Sequence, residues 1–123
     1  MTIREWQKKI HEWARSKGWW GDAVWDRGIV AEKLLLIHSE ITEAVEEYRN
    51  GRGLNEVYFP TAPGGEHPRP PDCKPEGFPT ELADAVIRIF DLAEACGIDL
   101  DMEIECKMNY NETRPHKHGG KAF

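Results

Sequence analysis

A chain of 123 residues with 40% apolar and 31% charged content fits one compact domain and leaves little room for a second. Its formal net charge of -6 argues against a general nucleic-acid binder, because duplex binding relies on Lys and Arg to neutralise phosphates. Cys73, Cys96 and Cys106 are odd in number and form no C-x-x-C pair, so neither a disulfide framework nor a zinc ribbon is expected.

The N-terminus reads as the start of an amphipathic helix rather than a signal peptide, with Ile3, Trp6, Ile10, Trp13 and Ala14 at three-four spacing over residues 3–17 and Gly18 as the stop. Trp19, Trp20 and Trp25 follow in a short connection. Large aromatics there either cap the core or form a base-stacking surface, with Trp20 and Trp25 as the candidate platforms. A second helix is predicted from about Ile29 to Arg49, with Val30, Leu34, Ile37, Ile41, Val45 and Tyr48 as its inner stripe and Asn50-Gly51 as its end.

Residues 51–78, with Gly64-Gly65 and Pro70-Pro71, read as a long loop of the kind that often carries function. The third helix opens at Pro79-Thr80, with Thr80 as cap or first-turn residue, and runs through Cys96 to a stop at Gly97. Asp99 then caps a fourth, from about Leu100 to Glu112, broken by Pro115 and followed by a basic tail at about 114–123. The prediction is an all-α domain over residues 1–123, a four-helix bundle. No apolar run reaches membrane-spanning length, and a cytoplasmic protein without membrane contact is expected.

Two acidic pairs stand out. Glu40 and Glu43 share one side of the second helix, with Glu47 nearby, and Glu81 and Asp84 share one side of the third, with Arg88 and Asp91 continuing it. Like charges three residues apart mildly destabilise a helix, so two pairs beside apolar stripes ask for a compensating cation. Carboxylates without His or Cys suit magnesium better than zinc, with manganese as a substitute. Each pair alone also fits a solvated acidic face. Asp91 fits a same-helix salt bridge with Arg88.

Competing motifs fail on inspection. No Glu is followed three residues later by His, as a di-iron bundle requires. Asp99-Leu-Asp101-Met-Glu103 has Ile104 where a calcium loop needs Gly, and Gly120-Lys121 lacks the upstream Gly of a P-loop. His67, Cys73, His116 and His118 show no standard ligand spacing. The final stretch gathers Lys107, Arg114, Lys117 and Lys121 against one acid, Glu112.

The stretch Leu36-Ile-His-Ser-Glu-Ile-Thr-Glu-Ala-Val-Glu-Glu, the stretch Glu81-Leu-Ala-Asp-Ala-Val-Ile-Arg-Ile and the ending Lys107-Met-Asn-Tyr-Asn-Glu-Thr-Arg-Pro with Lys117-His-Gly-Gly-Lys resemble, in that order, the MazG-like nucleotide pyrophosphohydrolases of the all-α NTP pyrophosphatase superfamily. The resemblance implies hydrolysis of a nucleoside triphosphate, with dNTPs to the fore, to the monophosphate and pyrophosphate. It implies magnesium held by Glu40, Glu43, Glu81 and Asp84, with one of these or Glu47 orienting or deprotonating the attacking water. Lys107, Asn111, Arg114, Lys117 and Lys121 are then phosphate-binding candidates, and the site is assembled between subunits of a homodimer or homotetramer. Against this enzymatic reading stand a non-catalytic helical interaction module and a regulator that binds nucleotide without cleaving it.

Overall fold

A computed structural model of the protein describes residues 1–22, 25–60 and 73–115. Four helices appear in chain order: α1 (Ile3–Ser16), α2 (Arg27–Arg49), α3 (Phe78–Ala95) and α4 (Leu100–Glu112). Among the described residues the only β pairing is one isolated antiparallel bridge, Tyr58 with Glu76, so the all-α expectation holds.

Each start has a local cause. Thr2 and Glu5 form a reciprocal capping box at α1, satisfying two backbone N–H groups that the first turn leaves free. Asp26 accepts from Ile29 N at 2.8 Å, which starts α2 two residues earlier than the apolar pattern alone suggested. Asp99 caps α4 as expected. At α3 the expectation shifts: the helix begins after Gly77 with no side-chain cap, and Thr80 lies inside the first turn. Gly77 has φ +128°, and a Cβ there would meet Glu56 O at 2.2 Å, so close backbone approach and positive φ both demand glycine.

The cross-helix partners fix the packing. Glu40 meets Arg88, while on α1 Arg4 meets Glu94 and His11 meets Asp91. In the two α1–α3 pairs residue numbers rise on one helix as they fall on the other, and on α2 the later Glu43 lies against the earlier Glu81, so α3 lies antiparallel between α1 and α2. The seams are lined by small side chains, with Ala14, Ala44, Ala85 and Ala93 buried beside Ile10 and Leu92, which lets the helix backbones come close. Gln7, fully buried, accepts from Leu100 N and donates to Ile98 O, and so holds the start of α4 onto α1.

The predicted inner stripe of α2 needs correction. Leu34, Ile41, Val45 and Tyr48 are 48%, 46%, 47% and 62% exposed, and the buried residues of α2 are Glu40 and Ala44. Helical geometry places that stripe roughly 100° around the axis from Glu40. The α2–α3 approach is made by the acidic, small-residue face instead. Trp6 and Trp13 on α1 are likewise about half-exposed, and no side chain of α4 is buried. No described helix is long and apolar enough to cross a membrane.

Candidate metal centre

Antiparallel packing of α2 on α3 brings Glu40, Glu43 and Glu81 together, each offering a carboxylate oxygen within 4.8 Å of the other two. Glu40 is buried, Glu81 half-buried and Glu43 exposed, so the cluster sits at the mouth of the seam. Asp84, one turn beyond Glu81, lies outside this mutual triad but within the electrostatic reach of Glu40 and Glu43.

The charges are poorly compensated. Glu81 is pushed up to about 8, first by burial and then by Glu43, with further contributions from Asp84 and Glu40. Asp84 is also raised, by burial first and Glu40 next, with Arg88 and Lys74 opposing. Glu81 Oε2 is buried with no hydrogen-bond donor. Protonation of Glu81 removes the charge that this burial penalises, and a divalent cation would relieve the whole cluster. Around one magnesium ion at about 2.1 Å, neighbouring oxygens lie about 3.0 Å apart and opposite ones about 4.2 Å, so the triad must draw together to share an ion. The oxygen-only donor set and the orphaned Glu81 atom both fit a hard cation.

Arg88 is the main counter-charge, its Nε donating to Glu40 Oε1 at 2.7 Å, with its guanidinium stacked over the Trp19 ring at 4.6 Å. This corrects the expected Arg88–Asp91 pair. Asp91, 2% exposed, instead accepts from Trp20 Nε1 at 3.0 Å and pairs with His11 Nδ1 at 2.7 Å, partners supplied by α1 and the connection that follows it.

Glu47 also finds an unexpected partner. The Tyr58 hydroxyl donates to both of its oxygens, at 2.7 and 2.9 Å, and Glu47 in turn pushes the phenol up to about 12. Glu47 therefore ties the loop to α2 and is not part of the triad.

Trp20 and Trp25 stack on each other with centroids 5.9 Å apart, and together with His11, Arg15 and Ile29 they line a cavity of about 150 Å³. Lys33 Nζ sits over the Trp20 ring at 4.4 Å. Within the protomer the basic residues of α4 are not joined to the acids by any hydrogen bond or ion pair among the described residues. Lys107 Nζ lies over Tyr110, Asn111 Nδ2 reaches Met108 Sδ at 3.8 Å, and Arg114 follows in the exposed last turn. Lys117 and Lys121, with His67, His116 and His118, lie outside the described residues.

Arg88, Tyr58 and His11 were not singled out as site or support residues from sequence. Arg88 had a signal, since it lies two turns from Glu81 and thus on the same seam. Tyr58 had none, because only the fold-back of the loop brings it to Glu47. No protein-family model, curated protein or solved structure matches the chain.

Proposed function

We propose that the protein is a magnesium-dependent pyrophosphohydrolase of nucleoside triphosphates, dNTPs foremost, of the MazG-like kind, with manganese as a substitute ion. The observation that carries this reading is the convergence of Glu40, Glu43 and Glu81 from two helices around a buried, donorless Glu81 oxygen. Glu40, Glu43 and Glu81, with Asp84 beside them, would hold the metal; when bound, it supplies charge neutralisation between carboxylates and triphosphate and lowers the pKa of a water.

The chain's own groups divide the remaining work. Water oxygen bonds to the α-phosphorus as the bond to the α,β-bridging oxygen breaks, and pyrophosphate leaves. Glu40 is tied to Arg88 and Glu47 to Tyr58, and among the remaining acids this reading assigns the proton of that water to Glu43, the exposed member of the triad. Along α3, Asp91 lies two turns, about 10 Å, beyond Asp84 on the same side, a distance on the scale that separates phosphate from base in a nucleotide. The Trp20–Trp25 cavity, whose Trp20 donates to Asp91, is the site this reading gives to the base.

A second copy completes this picture. The outward apolar residues of α2 and the exposed Leu82, Val86 and Ile89 of α3 leave surface that a homodimer or homotetramer would cover. Lys107 and Asn111 on α4, with Arg114 just beyond it, would then meet the phosphates across a subunit boundary. The role that follows is cytoplasmic nucleotide-pool control or house-cleaning.

The test is product analysis over canonical and modified triphosphates, with and without magnesium. Monophosphate plus pyrophosphate, dependent on metal, is the expected result. Diphosphate plus phosphate refutes the proposed chemistry, nucleotide binding without turnover makes the protein a regulator, and neither binding nor turnover leaves a helical interaction module.

A further inference from the structure

Arg88 is an odd neighbour for a cation site. A fixed positive charge beside a carboxylate ligand repels an incoming cation, and Glu40, only 7% exposed, is the most deeply set acid of the triad. Yet the guanidinium is held from several sides. Its face lies on Trp19, whose ring meets Trp13 edge-on at 4.9 Å. The Trp19 backbone is fixed as well, its N donating to Ala14 O at 3.0 Å and its O accepting from Lys33 Nζ at 2.7 Å. A chain of contacts therefore runs from α1 and from Lys33 on α2, through Trp19, to Arg88 on α3, and back to Glu40 on α2.

We infer that Arg88, braced by Trp19, is the positioning residue of the metal centre: it fixes the rotation of the Glu40 carboxylate so that its remaining lone pairs face Glu43 and Glu81. The physical reason is the cost of ordering. A free glutamate must give up side-chain rotamer freedom when it ligates, and a carboxylate already locked by a charge-assisted bond has given up that freedom in the folded protein. Groups that orient metal ligands from behind are commonly worth roughly 10- to 100-fold in metal affinity. Planarity matters here, because a guanidinium stacked on an indole offers Nε edge-on in a fixed direction, whereas an ammonium on its flexible stem can donate but does not fix that direction.

This inference rests on the metal-centre reading, and its sign separates the two possible roles of Arg88. If Arg88 only balances charge, removing it strengthens cation binding; if it positions Glu40, removing it weakens binding despite the lost repulsion.

The experiment is Mn²⁺ titration by electron paramagnetic resonance on the full-length wild type, Arg88→Met, Arg88→Lys and Trp19→Leu, with circular dichroism and thermal melts on the same samples. Expected are a roughly 10- to 100-fold weaker Kd for Arg88→Met, a comparable loss for Arg88→Lys although the charge is kept, and a smaller loss for Trp19→Leu, each with a folded spectrum at the titration temperature. Unchanged or tighter Mn²⁺ binding in Arg88→Met, or full retention in Arg88→Lys, overturns the inference. If Arg88→Met does not fold, Arg88→Lys and Trp19→Leu decide it by the same criterion. A wild type that binds no Mn²⁺ overturns the underlying metal-centre reading instead.

Discussion

Binding of magnesium or manganese to the metal-free protein at neutral pH should expel a proton. Glu81 is pushed up to about 8 by burial and by Glu43, so at pH 7 it is about nine-tenths protonated in the absence of metal. A ligating carboxylate must be ionised, and cation uptake therefore releases about 0.9 proton per site at pH 7, about 0.5 at pH 8 and about 0.1 at pH 9. Apparent affinity should rise about tenfold from pH 6 to 7 and about fivefold from pH 7 to 8, and then flatten. Isothermal titration calorimetry in two buffers of different ionisation enthalpy measures the proton count directly. Release below about 0.2 proton at pH 7, or an affinity flat from pH 6 to 8, would show that Glu81 is not the protonated member of a metal-binding cluster. The same displacement acts on stability without metal. Because the folded-state value lies above the ordinary 4.5, the contribution from Glu81 is fully present below about 4.5 and is lost as pH rises through about 8. Melting temperature should accordingly fall from pH 5 to 8.5 more steeply in the wild type than in Glu81→Gln.

Glu43→Gln should lower turnover by roughly a hundredfold or more while leaving the melt unchanged or slightly raised, since it removes a proton acceptor and a like charge together; steady-state rates and calorimetry check both. Trp25→Ala should raise KM for nucleotide by about 5- to 100-fold through lost stacking, with Mn²⁺ affinity untouched, and equal loss of both would place Trp25 at the metal instead. Gly77→Ala should destabilise by about 3 kcal/mol or more, from a left-handed backbone and the clash with Glu56 O, as read by urea denaturation; a cost under about 1 kcal/mol would mean that α3 starts differently.

Much of the helical framework was legible because its punctuation is local. Thr2, Asp26 and Asp99 accept from N–H groups three residues on, α1 to α3 each end just before a glycine, and α4 ends just before Pro115, all within reach of sequence spacing. The meeting of Glu40 and Glu43 with Glu81 was legible as a possibility, since each pair occupies one side of a long helix. The inward side of α2 was not, because that helix carries large apolar groups on one arc and small or acidic residues on another. Close packing against α3 selected Ala44 and Glu40 over Leu34 and Ile41. The partners of Asp91 and Glu47 were hidden for a different reason. His11 and Tyr58 reach them only through tertiary folding, and helical arithmetic pairs Asp91 with Arg88 when His11, 80 residues away, is the true neighbour. Lys107 and Arg114 carried a basic signal, but α4, which bears Lys107 and ends just before Arg114, rests on α1 by way of Gln7.

Tyr58 and Glu76 exchange two backbone hydrogen bonds, at 2.9 and 2.8 Å, directly before the glycine that starts the helix bearing Glu81. Tyr58 and Glu76 are thereby fixed to each other whatever the length of chain between them. Loop-closure entropy grows only logarithmically, with each doubling costing about 0.6 kcal/mol, so residues can be gained or lost beyond this clasp at little thermodynamic penalty. The acidic helices keep their register whatever happens there. Variation in that segment is in this way uncoupled from the carboxylates, and the fold holds an evolvable insertion point one turn away from its most constrained residues.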